Sequence, residues 1–192
     1  MFCRLFNLFR AFLRRFNGCL LRLYCFFVYG AHVKISGIPL IDGSISISIF
    51  PKGHLAIGKN LSVRKSVEFR CSAPVSIGDN CFFNNFCSIV SIEGISIGND
   101  CLFGENVHIY DNNHVFCHEN IPISNQGFSS KAICIGNNVW VGSNVCILKG
   151  VSIGNNSVIA ANSIVAVDVP ENSIVKTQRI VDIQPIVFKN KQ

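Results

Sequence analysis

From residue 135 onward the chain reads IGNNVW, VGSNVC, ILKGVS, IGNNSV, IAANSI, VAVDVP. Apolar side chains return at Ile135, Val141, Ile147, Ile153, Ile159 and Val165, every sixth position. An amphipathic helix repeats near 3.6 and a half-buried strand near 2, so neither explains this spacing. The fifth position of each hexad is Val or Ser. It lies two residues before the next first position, so both point the same way from a short extended segment. Between them stand mostly Gly, Asn, Ser and Ala, which bend a chain at low cost. Each hexad therefore predicts one short strand and one corner. Stacked so that neighbouring turns bury one another's inner faces, such hexads make a parallel β-helix.

The signature recurs upstream as Ile57-Gly58-Lys59-Asn60, Ile77-Gly78-Asp79-Asn80 and Ile97-Gly98-Asn99-Asp100, with intervals of 20, 20, 38 and 18 residues between successive units. Eighteen residues are three hexads, one triangular coil, and twenty add two residues at a corner. Thirty-eight leave about twenty for an excursion after Tyr110, over residues 111–133. About five coils over 57–170 predict a prism on the order of 24 Å tall. A β-sandwich would show variable loops and more aromatic strands, and six in-register hexads argue against it.

The flanks do not repeat. In residues 1–30, Phe2, Leu5, Phe6, Phe9, Phe12, Leu13 and Phe16 recur at helical spacing, with Arg4, Arg14 and Arg15 largely off that stripe. This pattern suits a basic amphipathic helix on an anionic membrane face, or a helix packed on the prism or a neighbouring subunit. Arg22 interrupts any signal-peptide core, and the charge-free stretch Leu23 to Val33 is too short to span a bilayer. Residues 31–56 form a lead-in to the first coil, and 171–192 a C-terminal cap.

Composition narrows the picture. With 49% hydrophobic and 15% charged residues in 192, the chain is a folded domain with an appendage. The net charge of +6 is confined to the N-terminal segment: six Lys/Arg and no acid precede Asp42, and eleven of each sign follow. No basic cluster on the repeat suggests nucleic acid. Ten cysteines show neither CxxC nor another zinc spacing. Cys81, Cys87 and Cys101, and with them Cys134 and Cys146, fall in or beside the repeat as small apolar side chains, so reduced thiols in the cytoplasm are expected.

The hexads, the excursion and NNVWVGSNVCILKGVSIGNNSVIAANSIV resemble the left-handed β-helix hexapeptide acyltransferases, above all the sugar O-acetyltransferases that act on galactosides, maltose and surface polysaccharides. The resemblance covers roughly residues 57–170. It implies an all-β fold wound left-handed, against the usual hand of parallel crossovers. It also implies acetyl-CoA as acyl donor, a sugar hydroxyl as acceptor, no metal, and a homotrimer with three sites. By this resemblance His114 is the general base, and the backbone N–H of Ser143 meets the oxyanion. Trp140, Gly142, Ala160 and Ala161 line the path of the pantetheine arm. Asn84 contacts the sugar, with Asn85 and Asp111 near enough to help.

Two departures stand out. The family's Gly-Val-Pro stretch is replaced by VKTQRIVDIQP, where Lys176 and Arg179 are candidates for the nucleotide phosphates, and an acidic acceptor-side residue is matched by Ile92 or Ser91. His108, His118, His32 and His54 read as ordinary residues. The expectation is an acetyl-CoA-dependent O-acetyltransferase of a surface polysaccharide or its precursor, cytoplasmic, with residues 1–29 at the inner membrane. The alternatives are a non-catalytic trimeric scaffold and a zinc enzyme of the carbonic-anhydrase type. The latter lacks a histidine between His54 and His108 to serve as a ligand from the preceding coil.

Overall fold

The computed structural model describes residues 2–176. Three parallel sheets of six, seven and six strands form the sides of a triangular solenoid. The register is the hexad repeat made visible. On the first side Ile57, Ile77, Ile97, Ile135 and Ile153 stack in one column. On the second, Val63, Phe83, Phe103, Val141 and Ile159 do so, and on the third Phe69, Ile89, Ile109, Ile147 and Val165. These side chains are almost completely shielded. Phe83 and Phe103 lie parallel with centroids 4.5 Å apart, and Phe69 meets Phe83 edge-on. Burial of this continuous apolar column holds the stack together.

The corners explain the Asn and Gly of the motif. Asn60, Asn80, Asp100, Asn138 and Asn156 all have φ between 54° and 59°, the left-handed region that Asn and Asp tolerate best after Gly. Their side chains form ladders between coils: Asn60 Nδ2 donates to Asn80 Oδ1, and Asn80 Nδ2 to Asp100 Oδ1, both at 2.9 Å. At Gly58 a Cβ would lie 2.6 Å from the Gly78 carbonyl oxygen, so the close approach of successive corners excludes a side chain.

The solenoid has about seven turns rather than about five. It starts at Val33, inside the segment expected to be a lead-in. The first coil lacks the IGxN signature because its corner, Ser36-Gly37-Ile38-Pro39, turns on Gly37 at φ 110°. Its strands nevertheless place Val33, Ile41 and Ile47 inward. At the other end, a bridge from Ile153 to Val169 and the strand Ile174–Val175 begin a further turn. Seven turns give a height of about 34 Å. Most of the expected C-terminal cap, residues 177–192 with Arg179, lies outside the described residues.

After Tyr110 the chain leaves the solenoid. Asn112–His114 pairs antiparallel with Phe128–Ser130, a short 3-10 turn covers Ile123–Asn125, and the first side resumes at Ile133. Gln126 closes this loop from within: its Oε1 accepts from the His118 N–H, and its Nε2 donates to the carbonyls of His118 and Ile121.

Helix α1 (Phe2–Tyr29) lies against the first coil. A Cβ at Gly18 would fall 1.9 Å from the Pro39 carbonyl oxygen, so helix and coil meet backbone to backbone. Three of the α1 arginines face the prism. Arg10 pairs with Asp42 at 2.6 Å, Arg14 donates to Ser62 Oγ at 2.8 Å, and Arg22 donates to the Gly37 carbonyl at 3.3 Å. Cys25 is buried against the core, and the Tyr29 hydroxyl donates to Ile47 O. No helix among the described residues is long and apolar enough to cross a membrane.

Candidate active site

The excursion is anchored by a carboxylate. Asp111 is fully buried and accepts hydrogen bonds from Ser91 Oγ and from the backbone N–H groups of Ile92, Glu93 and Gly94, at 2.7–2.9 Å. Asn112 Nδ2 adds a fifth donor at 3.1 Å. Its hydrogen-bonding capacity is thus met by the chain's own donors, without a cation partner. This corrects the expectation that Asp111 contacts acceptor: both oxygens are taken by the chain's own donors. Asp111 instead pins the 91–94 corner beneath the root of the hairpin.

His114 sits on that hairpin, opposite Phe128. The rings are 4.5 Å apart at 38°, which orients the exposed imidazole by packing on one side only. The hairpin is tied to the coils by Ser130 Oγ donating to Glu93 and by Lys149 Nζ donating to Ser129 Oγ. His114 is thus an accessible imidazole on a braced arm.

Ser143 lies at the corner between the second and third sides. Along this corner, backbone N–H groups donate to side-chain oxygens one coil onward: Lys65 to Asn85 Oδ1, and Glu105 to Ser143 Oγ, each at 3.2 Å. The next rung is broken. Register places Ala161 under Ser143, and alanine has no oxygen to offer. The Ser143 N–H therefore finds no acceptor among the described residues. Gly142 makes the approach possible, since a Cβ there would lie 2.6 Å from the Ala161 nitrogen. The result is a fixed backbone donor, bordered by small residues, at an exposed edge.

Trp140 stands on the outside of the second side between Leu102 and Val158, 56% exposed. Ala160 is half-buried, Ala161 exposed, and Lys176 exposed one coil beyond, so these residues share one strip of the solenoid with Trp140. Arg179 lies outside the described residues. Asn84 and Asn85 separate in role. Asn85 is a ladder rung, accepting from Lys65 N and donating to Glu105 Oε1 at 2.8 Å. Asn84 accepts from the Asn85 N–H through Oδ1, and its Nδ2 makes no hydrogen bond among the described residues.

One arrangement is invisible to sequence reasoning. Asn106 Nδ2 donates to Asn144 Oδ1, which leaves Asn106 Oδ1 to accept from His108 Nε2 at 3.0 Å. His108 Nδ1 then accepts from Ser88 Oγ at 2.7 Å, and Tyr110 stacks on the imidazole. His108 is held as an outward ring beside the candidate corner. Asn106 and Tyr110 are two residues away, but Ser88 is twenty residues and one coil away, so no local signal announces that contact. Among the described residues no three His, Cys, Asp or Glu side chains are grouped to hold a metal ion.

The coils are those of a parallel β-helix built on hexads. Residues 135–166 match the bacterial transferase hexapeptide (six repeats), and residues 74–110 match the hexapeptide repeat of succinyl-transferase. Part of the chain is similar to sugar O-acetyltransferases. WbbJ of Escherichia coli (strain K12), designated a lipopolysaccharide biosynthesis O-acetyl transferase, is 40% identical over 108 residues, 53% of this chain and 55% of that protein. Galactoside O-acetyltransferase of the same organism is 38% identical over 125 residues, 65% of this chain and 61% of that protein. The chain thus spans little more than half the length of these relatives. A structure of galactoside acetyltransferase in complex with coenzyme A superposes with a TM-score of 0.51 at 32% identity, covering 70% of this chain and 60% of that one.

Proposed function

We propose that the protein is an acetyl-CoA-dependent O-acetyltransferase of a sugar hydroxyl in a surface polysaccharide or its precursor. The Ser143 N–H, left free over Ala161, carries this reading. In it, neutral His114 takes the proton of the acceptor hydroxyl as that oxygen attacks the thioester carbonyl. The tetrahedral oxyanion receives the Ser143 N–H, a stabilisation that needs a fixed donor rather than a special side chain. Collapse expels the CoA thiolate, to which His114 returns the proton, leaving an acetyl ester and CoA. Trp140 and the small strip at Gly142, Ala160 and Ala161 carry the pantetheine arm, with Lys176 and Arg179 toward the phosphates. Asn84 Nδ2 is the free donor for the sugar.

His114 and Ser143 occupy different corners of the triangle, one beyond the end of the third side and one before its start. A side of about five residues is roughly 17 Å long, so base and oxyanion donor of one site come from two protomers of a homotrimer. The WbbJ relationship favours a lipopolysaccharide-type acceptor. Such precursors place the enzyme in the cytoplasm at the inner membrane face, held there by residues 1–29. Purified protein with acetyl-CoA and candidate glycans is expected to release free CoA, and His114→Ala to lose about 10²–10⁴-fold of that rate. Undiminished release by the variant removes His114 from its role.

A further inference from the structure

α1 carries its polarity inside out. A helix docked on a protein ordinarily buries its apolar stripe and exposes its charges. Here Arg10, Arg14, Asn17 and Arg22 face the first two coils and are hydrogen-bonded there. On the opposite side stand Phe9, Phe12, Phe16, Leu20, Leu23 and Phe27, each between 49% and 79% exposed. They fall within a band about 80° wide and follow a helix about 42 Å long. A contiguous apolar patch of this extent is rare on a free monomer and marks a docking surface.

We infer that this face inserts into a lipid bilayer, with α1 lying flat at the interface and the arginines fastening it to the solenoid rather than gripping headgroups. The inference rests on the membrane placement proposed above and specifies how the contact is made. Charge selects the occupant. Residues 1–41 hold six Lys/Arg and no acid, and Arg15, exposed beside the stripe, is not drawn inward like its neighbours. The charge bordering the stripe is therefore positive with no acid to offset it, and a bilayer with anionic headgroups meets it with the opposite sign, whereas a second copy of the stripe would set one Arg15 near another. Because Arg10 and Arg14 are engaged by Asp42 and Ser62, the area of the Phe/Leu face, not the arginine count, sets the affinity.

Flotation of the full-length chain with phosphatidylcholine vesicles, alone and with about a third phosphatidylglycerol, tests this. The protein is expected to float with both, more with the anionic vesicles, and to stay bound at about 0.5 M salt, where exposed charges are screened. The double variant Phe12→Glu/Phe16→Glu is expected to lose at least about tenfold of the bound fraction with an unchanged circular dichroism spectrum and melting temperature. Three outcomes overturn the inference. They are no flotation with either vesicle, flotation with anionic vesicles alone that salt abolishes, and a lipid-free change of oligomeric mass in the double variant. CoA release with a water-soluble acceptor, measured on the same samples, reports separately on the transferase reading, because Phe12 and Phe16 are remote from that corner.

Discussion

Ser143 stacks directly over Ala161, and in that register its backbone N–H has no side-chain oxygen beneath it. Lys65 and Glu105, on the same corner, both do. The coil-to-coil pairing of these corner donors fails at Ser143, where Gly142 and two alanines clear the ground around it. At that exposed edge the donor is open to a ligand carbonyl.

Restoring the rung tests that relationship. Ala161→Ser places a hydroxyl where Ser143 Oγ stands for Glu105, and it is expected to engage the Ser143 N–H. CoA release should fall by about 10²–10³-fold, with the melting temperature unchanged or raised. Wild-type turnover in this variant removes Ser143 from oxyanion stabilisation.

Asp111 is expected to behave as a structural anchor rather than a binding residue. Asp111→Asn keeps the shape but sets an NH₂ against backbone donors at 2.7–2.9 Å. Urea unfolding should show a loss on the order of 3 kcal/mol. A variant as stable as the parent, with only the acceptor KM raised, would restore the substrate-contact role.

The junction of α1 with the solenoid is acid-sensitive. Partial burial raises the pKa of Asp42, but the guanidinium groups of Arg10 and Arg64 outweigh this, and the net shift is downward. A carboxylate with a lowered folded-state pKa contributes stability above its unfolded value. That contribution is lost as pH falls through the folded value. The melting-temperature gap between wild type and Asp42→Asn should therefore be widest near neutrality and close below about pH 4. A gap independent of pH would refute the pairing.

The cysteines should divide by depth. Burial pushes the thiols of Cys25 and Cys87 up to about 11 and that of Cys71 to about 12. Cys87 and Cys101 donate to the carbonyls of Gly104 and Gly136 at 3.1 Å. Since the thiolate is the reactive species, native protein treated with iodoacetamide at pH 8 should be labelled first at exposed Cys134. The five buried thiols should follow only on unfolding. Mass mapping that finds Cys71 labelled early would show the coils to be open.

Much of this architecture was legible in the chain. A six-residue period admits one regular solution, so the stacked columns from Ile57 to Ile153 and the departure after Tyr110 follow from spacing alone. The first coil escaped because its inward Val33, Ile41 and Ile47 are joined by an unrelated corner that carries no motif. At the site, residue types told against residue roles. Asp111 and Asn85 look like sugar ligands, yet each is consumed by partners about twenty residues away that only stacking brings near.

The sequence by itself determined the period, hence the three-sided parallel winding, and the positions of His114, Trp140 and Ser143 upon it, because inward and outward alternation is a local property of extended backbone. Tertiary structure alone decided that Arg10, Arg14 and Arg22 of α1 turn inward and its phenylalanines outward, and that the Ser143 donor stays free. Both depend on what stands one coil or one element away, and an amphipathic pattern says that a helix has two faces without saying which one the protein covers.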